Sequence, residues 1–268
     1  MRFTELTALL RRPGLEDDGL QGPRRPQRED VRAVQHSLTA WLADEEFYLD
    51  CIELELAAVA RKTAANPAPA LLRLADRGMS LRMFYWWPGK VAPPHEHTAW
   101  TVTAVLFNTL EVTTYDWDIA HRERRLARKN QFQATRGCAG HVYERCIHSP
   151  ANPGREISTS LHIFNASDEP RIEQEVGPIA GMGRPNQGPQ RGAWTAELLD
   201  AMTQRQLGVL AQMVAPCRSE RALGLLQEIA GCGDGQIRAV IEFMRWSRRR
   251  AGVASRATAP AVQRGPTE

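Results

Sequence analysis

The region from Ser80 to Phe164 constrains the fold most, because its apolar residues fall in several short segments rather than at helical spacing. β-Branched and aromatic residues fill these segments, and Gly, Pro and Asn separate them, which is typical of strands joined by turns. The predicted strands are 81–87, 99–108, 110–117, 141–148 and 157–164. Many short strands at this spacing predict a sandwich or jelly roll. The charged residues 118–130 are expected to form a loop or an edge hairpin.

Helical periodicity flanks this region on both sides. On the N-terminal side it predicts helices over 3–11, 32–62 and 68–77, the last ending at Gly78. On the C-terminal side it predicts three or four helices after a Gly/Pro-rich linker. We therefore expect four parts, which are an N-terminal helical segment packed on the strands (1–79), a β domain that contains the strands (80–176), a helical appendage (193–250) and a disordered tail (251–268).

The length and net charge of the chain limit the kinds of molecule that we expect it to bind. The chain has 268 residues, 43% of them hydrophobic, which suffices for one large domain or a domain with a subdomain. Its net charge of +3 is too near neutral to indicate nucleic-acid binding. No apolar run approaches the ~20 residues that span a bilayer. We therefore expect neither a nucleic acid nor a membrane as a partner.

The cysteines and the N-terminal residues indicate the cellular compartment in which we expect the protein. The 5 cysteines are scattered and include no C-x-x-C pair, which argues against a disulfide framework or a zinc ribbon. The first residues lack the long apolar core of a signal peptide. These observations favour a soluble, reduced, cytoplasmic protein.

Two histidines, His95 and His97, follow a Pro/Gly-rich turn. Side chains two apart on an extended segment project to one face, so both imidazoles can hold one metal ion. Alone the pair is a weak motif, since a solvated turn or an adventitious site would look the same. Tight binding needs at least three ligands, and His148 and His162 on later strands are the candidates.

With these histidines, the stretch from Leu74 to about Phe164 resembles the cysteine dioxygenase family of cupins, the thiol dioxygenases. The resemblance implies a mainly β cupin fold, the double-stranded β-helix or jelly-roll barrel. It also implies a non-haem Fe(II) cofactor and an enzyme that adds O₂ to a small thiol to give a sulfinate. The matching segments are the histidine pair, a loosely similar Thr114–Trp117, Ile147-His148, Asn152 and Ser160–Phe164.

The resemblance implies a role for each matched residue. His95, His97 and His148 become the metal ligands, while His162 and Ser160, hydrogen-bonded to each other, become catalytic residues beside the metal. Each histidine has a plainer interpretation, His162 as a core histidine satisfied by Ser160 and His148 as a loop residue. His36, His121 and His141 are expected at the surface.

Strand spacing suggests the substrate-binding residues. Arg82 and Trp86 share one strand face and are the candidates, with Arg73 as an alternative anion anchor. Salt bridging for Arg82 and core packing for Trp86 remain open.

Two departures from the family pattern leave the reaction open. Phe164 stands where the family has a tyrosine, and residues 100–103 contain no cysteine. A three-histidine cupin enzyme acting on a different small metabolite is therefore an alternative. Another is a non-catalytic, metal-bound cupin. The expected partners are a small-molecule substrate and O₂, and the C-terminal helices are open to a protein partner or to self-association.

Overall fold

A computed structural model of the chain describes residues 2–12, 15, 26–63, 69–96, 100–118, 125–143, 146–165 and 195–257. It divides into two compact units, Met1–Ala201 and Met202–Glu268. The helices of the first unit are α1 (Arg2–Leu10), α2 (Arg28–Leu42) and α3 (Glu45–Ala60).

The strands form two antiparallel sheets. They are β1 (Leu72–Leu74), β2 (Met79–Trp86), β3 (His95–Glu96), β4 (Thr101–Phe107), β5 (Thr109–Asp118), β6 (Arg125–Thr135), β7 (Ala139–Val142), β8 (Ile147–Ala151) and β9 (Ser158–Asn165). One sheet has the order β1-β2-β9-β4-β7 and the other has the order β3-β8-β5-β6.

The strand pairs β5–β6, β4–β7, β3–β8 and β2–β9 are nested, as in one long hairpin rolled into two layers. This is the strand order of a jelly roll, as the sequence predicts. The expectation of a mainly β protein is wrong, because helices cover more of the described residues than strands do. The expected barrel is also not closed, since the strands of the described residues pair into two separate sheets.

A small apolar cluster identifies the facing surfaces of the two sheets. Trp86 and Val105 from the five-stranded sheet pack with Leu110 from the four-stranded sheet. Residues two apart on a strand share a face, so this cluster defines the inner face of every strand paired with these three. Burying the side chain of Val105 or Leu110 stabilises the fold by roughly 1.5–3 kcal/mol.

The N-terminal helices cover the outer face of the five-stranded sheet. That face is apolar and buried, and α2 packs against β4 and β7. The Gln35 amide of α2 donates to the Ala139 carbonyl at 2.8 Å. The Tyr85 hydroxyl of β2 donates to the Oε1 atom of the Glu55 carboxyl group in α3 at 3.1 Å. The buried outer-face residues include Leu81, Met83, Val102, Ala104, Leu161 and Ile163.

Three local expectations are corrected. The single helix expected over 32–62 is two helices, because Asp44 caps α3 by accepting from the Glu46 amide. Residues 72–74 form β1, which pairs with β2, where a helix was expected. A 3₁₀ turn, Ala75–Arg77, follows it and ends at Gly78 with φ 60°. The strand expected over 141–148 is two strands, β7 and β8, which lie in different sheets. The described residues of the charged stretch 118–130 all belong to the hairpin of β5 and β6 at the edge of the sheet, which is one of the two forms expected for them.

The second unit contains helices only among its described residues. They are α4 (Ala196–Val214), which begins before the boundary of the unit, α5 (Glu220–Cys232) and α6 (Gly235–Ala257). Gly208 of α4 lies against Ile237 of α6, where an added Cβ would come within 3.3 Å of the Ile237 side chain. The helix α6 continues past Arg250, and residues 258–268 lie outside the described part of the chain. No helix within the described ranges is long and apolar enough to cross a bilayer.

Candidate metal centre

The loop before β3 is fastened along β8. The backbone N–H of Asn152 donates to the Lys90 carbonyl at 2.9 Å, and the backbone N–H of Ala92 donates to the Pro150 carbonyl at 2.9 Å. The Ser149 hydroxyl donates to the Ala92 carbonyl at 2.6 Å. These hydrogen bonds hold the Pro/Gly-rich segment antiparallel to β8, so that β3, which follows it, pairs with β8.

That pairing places His95 directly opposite His148. The two ring centroids are 4.5 Å apart with an interplanar angle of 53°. Both residues are partly buried. His148 also pairs in register with Thr114 of β5, which shares the inner face with Leu110. Both imidazoles therefore lie on the inner surface of the four-stranded sheet.

Backbone contacts fix the tautomer of both rings. His95 Nδ1 lies 3.0 Å from the Pro93 carbonyl, and His148 Nδ1 lies 3.2 Å from the Cys146 carbonyl. A carbonyl oxygen only accepts, so each Nδ1 carries the hydrogen and each neutral ring presents its lone pair at Nε2. Metal-binding histidines are commonly oriented by such a bond from the other ring nitrogen. The donor set of this pair therefore fits a divalent metal of the first transition row.

The third predicted ligand, His97, lies outside the described residues, so its contribution stays a prediction. Within the described ranges, no group of three or more His, Cys, Asp or Glu side chains is placed to hold a metal ion. His162 accordingly does not join His95 and His148 in such a group. Burial raises the pKa of the neighbouring Cys146 thiol, which disfavours the thiolate that would bind a metal.

The opposite inner surface carries a hydrogen-bonded chain through His162. The Trp86 indole N–H donates to Ser160 Oγ at 2.7 Å, and Ser160 Oγ lies 2.8 Å from His162 Nε2. His162 Nδ1 lies 3.1 Å from Thr103 Oγ1. With Ser160 donating its hydrogen to Nε2, Nδ1 is protonated and donates to Thr103. The chain holds the ring in place from three strands: β2, β9 and β4.

Two more side chains share this surface. Arg82 is the register partner of His162 across β2 and β9. Burial, followed by the charge of Arg73, lowers the pKa of the Arg82 guanidinium. The Phe84 ring lies 4.6 Å from the His162 ring at an angle of 63°, and its side chain is 38% exposed. A large apolar side chain on an inner face is ordinarily buried, so this exposure indicates that the space beside His162 is open.

The predicted site residues thus fall on two facing surfaces. His95 and His148 lie on one, and Arg82, Trp86, Ser160 and His162 lie on the other. The structure also adds residues that sequence reasoning missed, namely Thr103 and Phe84. Both occupy ordinary strand positions, and only the register with β9 shows that they touch His162.

His141 departs from its expected surface position. It is partly buried between α2 and β7, where its Nδ1 lies 2.6 Å from Gln35 Oε1. Burial, followed by the charges of Arg32 and Arg28, lowers its pKa. His141 therefore joins a helix to the sheet.

The comparisons with known proteins are weak. No protein-family model and no curated protein matches the chain. An oxalate oxidase bound to the substrate analogue glycolate is 21% identical over 33% of this chain and 42% of its own, with a TM-score of 0.27. A cupin superfamily protein from Desulfitobacterium hafniense is 15% identical over 37% and 74%, with a TM-score of 0.28. A mutant Bacillus subtilis oxalate decarboxylase is 22% identical over 35% and 22%, with a TM-score of 0.28.

The chain spans less than half the length of oxalate oxidase. TM-scores and identities this low assign neither a family nor an activity. A functional assignment therefore depends on the residues of this chain.

Proposed function

We propose that this protein is a cupin-type metalloenzyme that holds one Fe(II)-like ion through His95, His148 and His97 and acts on a small molecule with O₂. The observation that carries the proposal is the His95–His148 pair, with both Nδ1 atoms bonded to backbone carbonyls. Metal-ligating histidines commonly donate their other ring N–H to a backbone carbonyl, as both of these do.

The bound ion would supply open coordination positions for substrate and O₂. The chain's own residues would do the rest. The chain from Trp86 through Ser160 keeps His162 in one orientation, so that it can hold or pass a proton at Nε2. Arg82 offers a cation to an acidic group of the substrate, and Phe84 provides an apolar wall.

The finer proposal is a thiol dioxygenase, with a small thiol as substrate. Both atoms of O₂ then end on the sulfur as a sulfinate, so the reaction needs no external reductant. The Ser160-Leu161-His162 segment supports this choice, because its serine and histidine are bonded as the family resemblance implies.

Metal counting tests the site first. His148→Ala and His97→Ala should each lose nearly all bound metal after Fe(II) loading, measured by mass spectrometry. His36→Ala is the matched control, because His36 is exposed on α2, and it should keep the wild-type metal content. Full metal in both ligand variants would refute the site.

Aerobic incubation of the Fe(II)-loaded chain with small thiols tests the reaction. A sulfinate product containing two atoms of ¹⁸O from ¹⁸O₂ supports thiol dioxygenation. A normally loaded protein that oxidises no thiol would exclude it and leave the metal site standing.

A three-histidine cupin enzyme acting on a different small metabolite is the second candidate. One observation favours it, which is that Phe164 has no hydroxyl where the thiol dioxygenases carry a tyrosine.

A further inference from the structure

One row of polar residues crosses the whole inner face of the four-stranded sheet. His95 of β3 pairs with His148 of β8, which pairs with Thr114 of β5, which pairs with Asn130 of β6. Neighbouring strands lie about 4.8 Å apart, so the row continues from the metal-binding pair in steps of that size. On one side of this row the next pairs on this face are apolar, Val112 with Phe132 and Leu110 with Ala134, and on the other side Asp116 pairs with Ala127.

The Thr114 hydroxyl stands out within this row. Its Oγ1 is buried and has no hydrogen-bond partner among the described residues. The inner-face threonines of the other sheet differ, because Thr101 Oγ1 donates to the Ile163 carbonyl and Thr103 Oγ1 contacts His162. Buried hydroxyls without a partner are uncommon and destabilising. Directly paired residues hold their Cβ atoms about 4.5–5.5 Å apart, so the side chains of Thr114 and His148 are neighbours on this face.

We propose that Thr114 is a specificity-determining residue, whose hydroxyl donates to a carboxylate or carbonyl oxygen of the molecule that binds the metal at His95 and His148. The proposal rests on the proposed metal site and deepens it by naming the substrate class. The substrate carries its metal-bound atom and an acceptor oxygen within a few bonds of each other. Asn130 is exposed, so the row ends at the solvent on β6.

Two small thiols, only one of which carries an acceptor group, distinguish this role of Thr114 from a purely structural one. Mercaptoacetate has a carboxylate beside its thiol, and ethanethiol has no acceptor. Each would be titrated anaerobically into the Co(II)-loaded full chain, in which visible absorption reports sulfur binding. Thr114→Val removes the hydroxyl at constant shape, and Thr114→Ser keeps it.

Thr114→Val should weaken mercaptoacetate binding about tenfold or more, which is the effect of losing one charge-assisted hydrogen bond. It should leave ethanethiol binding unchanged, and Thr114→Ser should match the wild type with both thiols. An equal loss with both thiols, or no loss with either, would overturn the proposal.

The melting temperature of the metal-free variants gives a second readout. Thr114→Val should melt at or above the wild-type temperature, because the hydroxyl has no hydrogen-bond partner among the described residues. If Thr114→Val melted at a lower temperature than the wild type and Thr114→Ser melted at the wild-type temperature, the hydroxyl would have a partner within the protein itself. That result would refute the inference. Failure of the proposed function is recognised separately, because the wild type would then take up no Co(II).

Discussion

Glu55 should make the stability of the first unit depend on pH in the direction opposite to an ordinary carboxylate. Its side chain is 4% exposed and accepts from the Tyr85 hydroxyl at 3.1 Å. Burial raises its pKa from 4.5 to about 8, against the opposing effects of Tyr85, Lys62 and Arg61. The folded protein therefore keeps a proton that the unfolded chain has released, and stability falls as pH rises from about 4.5 to about 8.

The magnitude follows from the difference in proton affinity. Each tenfold change in proton affinity corresponds to ~1.4 kcal/mol, so a rise in pKa from 4.5 to about 8 amounts to roughly 5 kcal/mol. Glu55→Gln removes the charge and keeps an oxygen that can accept from Tyr85. We expect the variant to resemble the wild type near pH 4 and to exceed it by up to roughly 5 kcal/mol above pH 8.

Urea unfolding of both proteins between pH 4 and 9, followed by tryptophan fluorescence, measures this difference. Glu53→Gln is the matched control, because Glu53 lies exposed on the same helix and should leave the pH profile unchanged. If the wild-type and Glu55→Gln profiles ran parallel across the range, the buried carboxyl would not be the source of the pH dependence and the reasoning would fail.

Three further predictions concern the first unit. His162→Asn should keep the bound metal and lower turnover by ~10–100-fold; a metal-free variant in mass spectrometry would instead make His162 a ligand. Asn152→Ala should cost roughly 3 kcal/mol in urea unfolding, because its side chain bonds the Trp86 carbonyl, the Glu156 carbonyl and the Gly154 amide; a loss below ~1 kcal/mol would contradict this. A chain ending at Gly177 should fold and bind metal, and an insoluble or metal-free product would show that the β region needs the C-terminal helices.

The sequence predicts which residues of a strand share a face better than it predicts where the helices and strands begin and end. The alternation of β9 already puts Ser160 and His162 on one face, because strand periodicity is local. The break before α3 depends on one capping residue, Asp44, inside an otherwise continuous apolar pattern. The strand β1 has only 3 residues, and it exists because the edge of β2 accepts it.

Contacts between distant strands have no local signal. Thr103 and Thr114 are ordinary strand threonines in the sequence, and register alone decides that one bonds His162 and the other lies beside His148. The third ligand remains a prediction from the His95–His97 spacing, since His97 is outside the described residues. The resemblance that implied a closed, mainly β barrel covers only the strands. The expectation of a mainly β protein therefore gave too little weight to the flanking helices, which periodicity predicted, and the closure of a barrel has no local signal in the sequence.

The nested strand pairing has a consequence for how the protein is made. The Trp86–Ser160 bond closes 74 residues of chain and the Thr103–His162 contact closes 59. Both need β9, the last strand to leave the ribosome, so a nascent chain can pair β5 with β6 long before it can assemble His162 with its neighbours. Folds dominated by such distant contacts form slowly. Until β9 is available, the edges of β2 and β4 that pair with it stay unpaired. The chain is then most prone to aggregation.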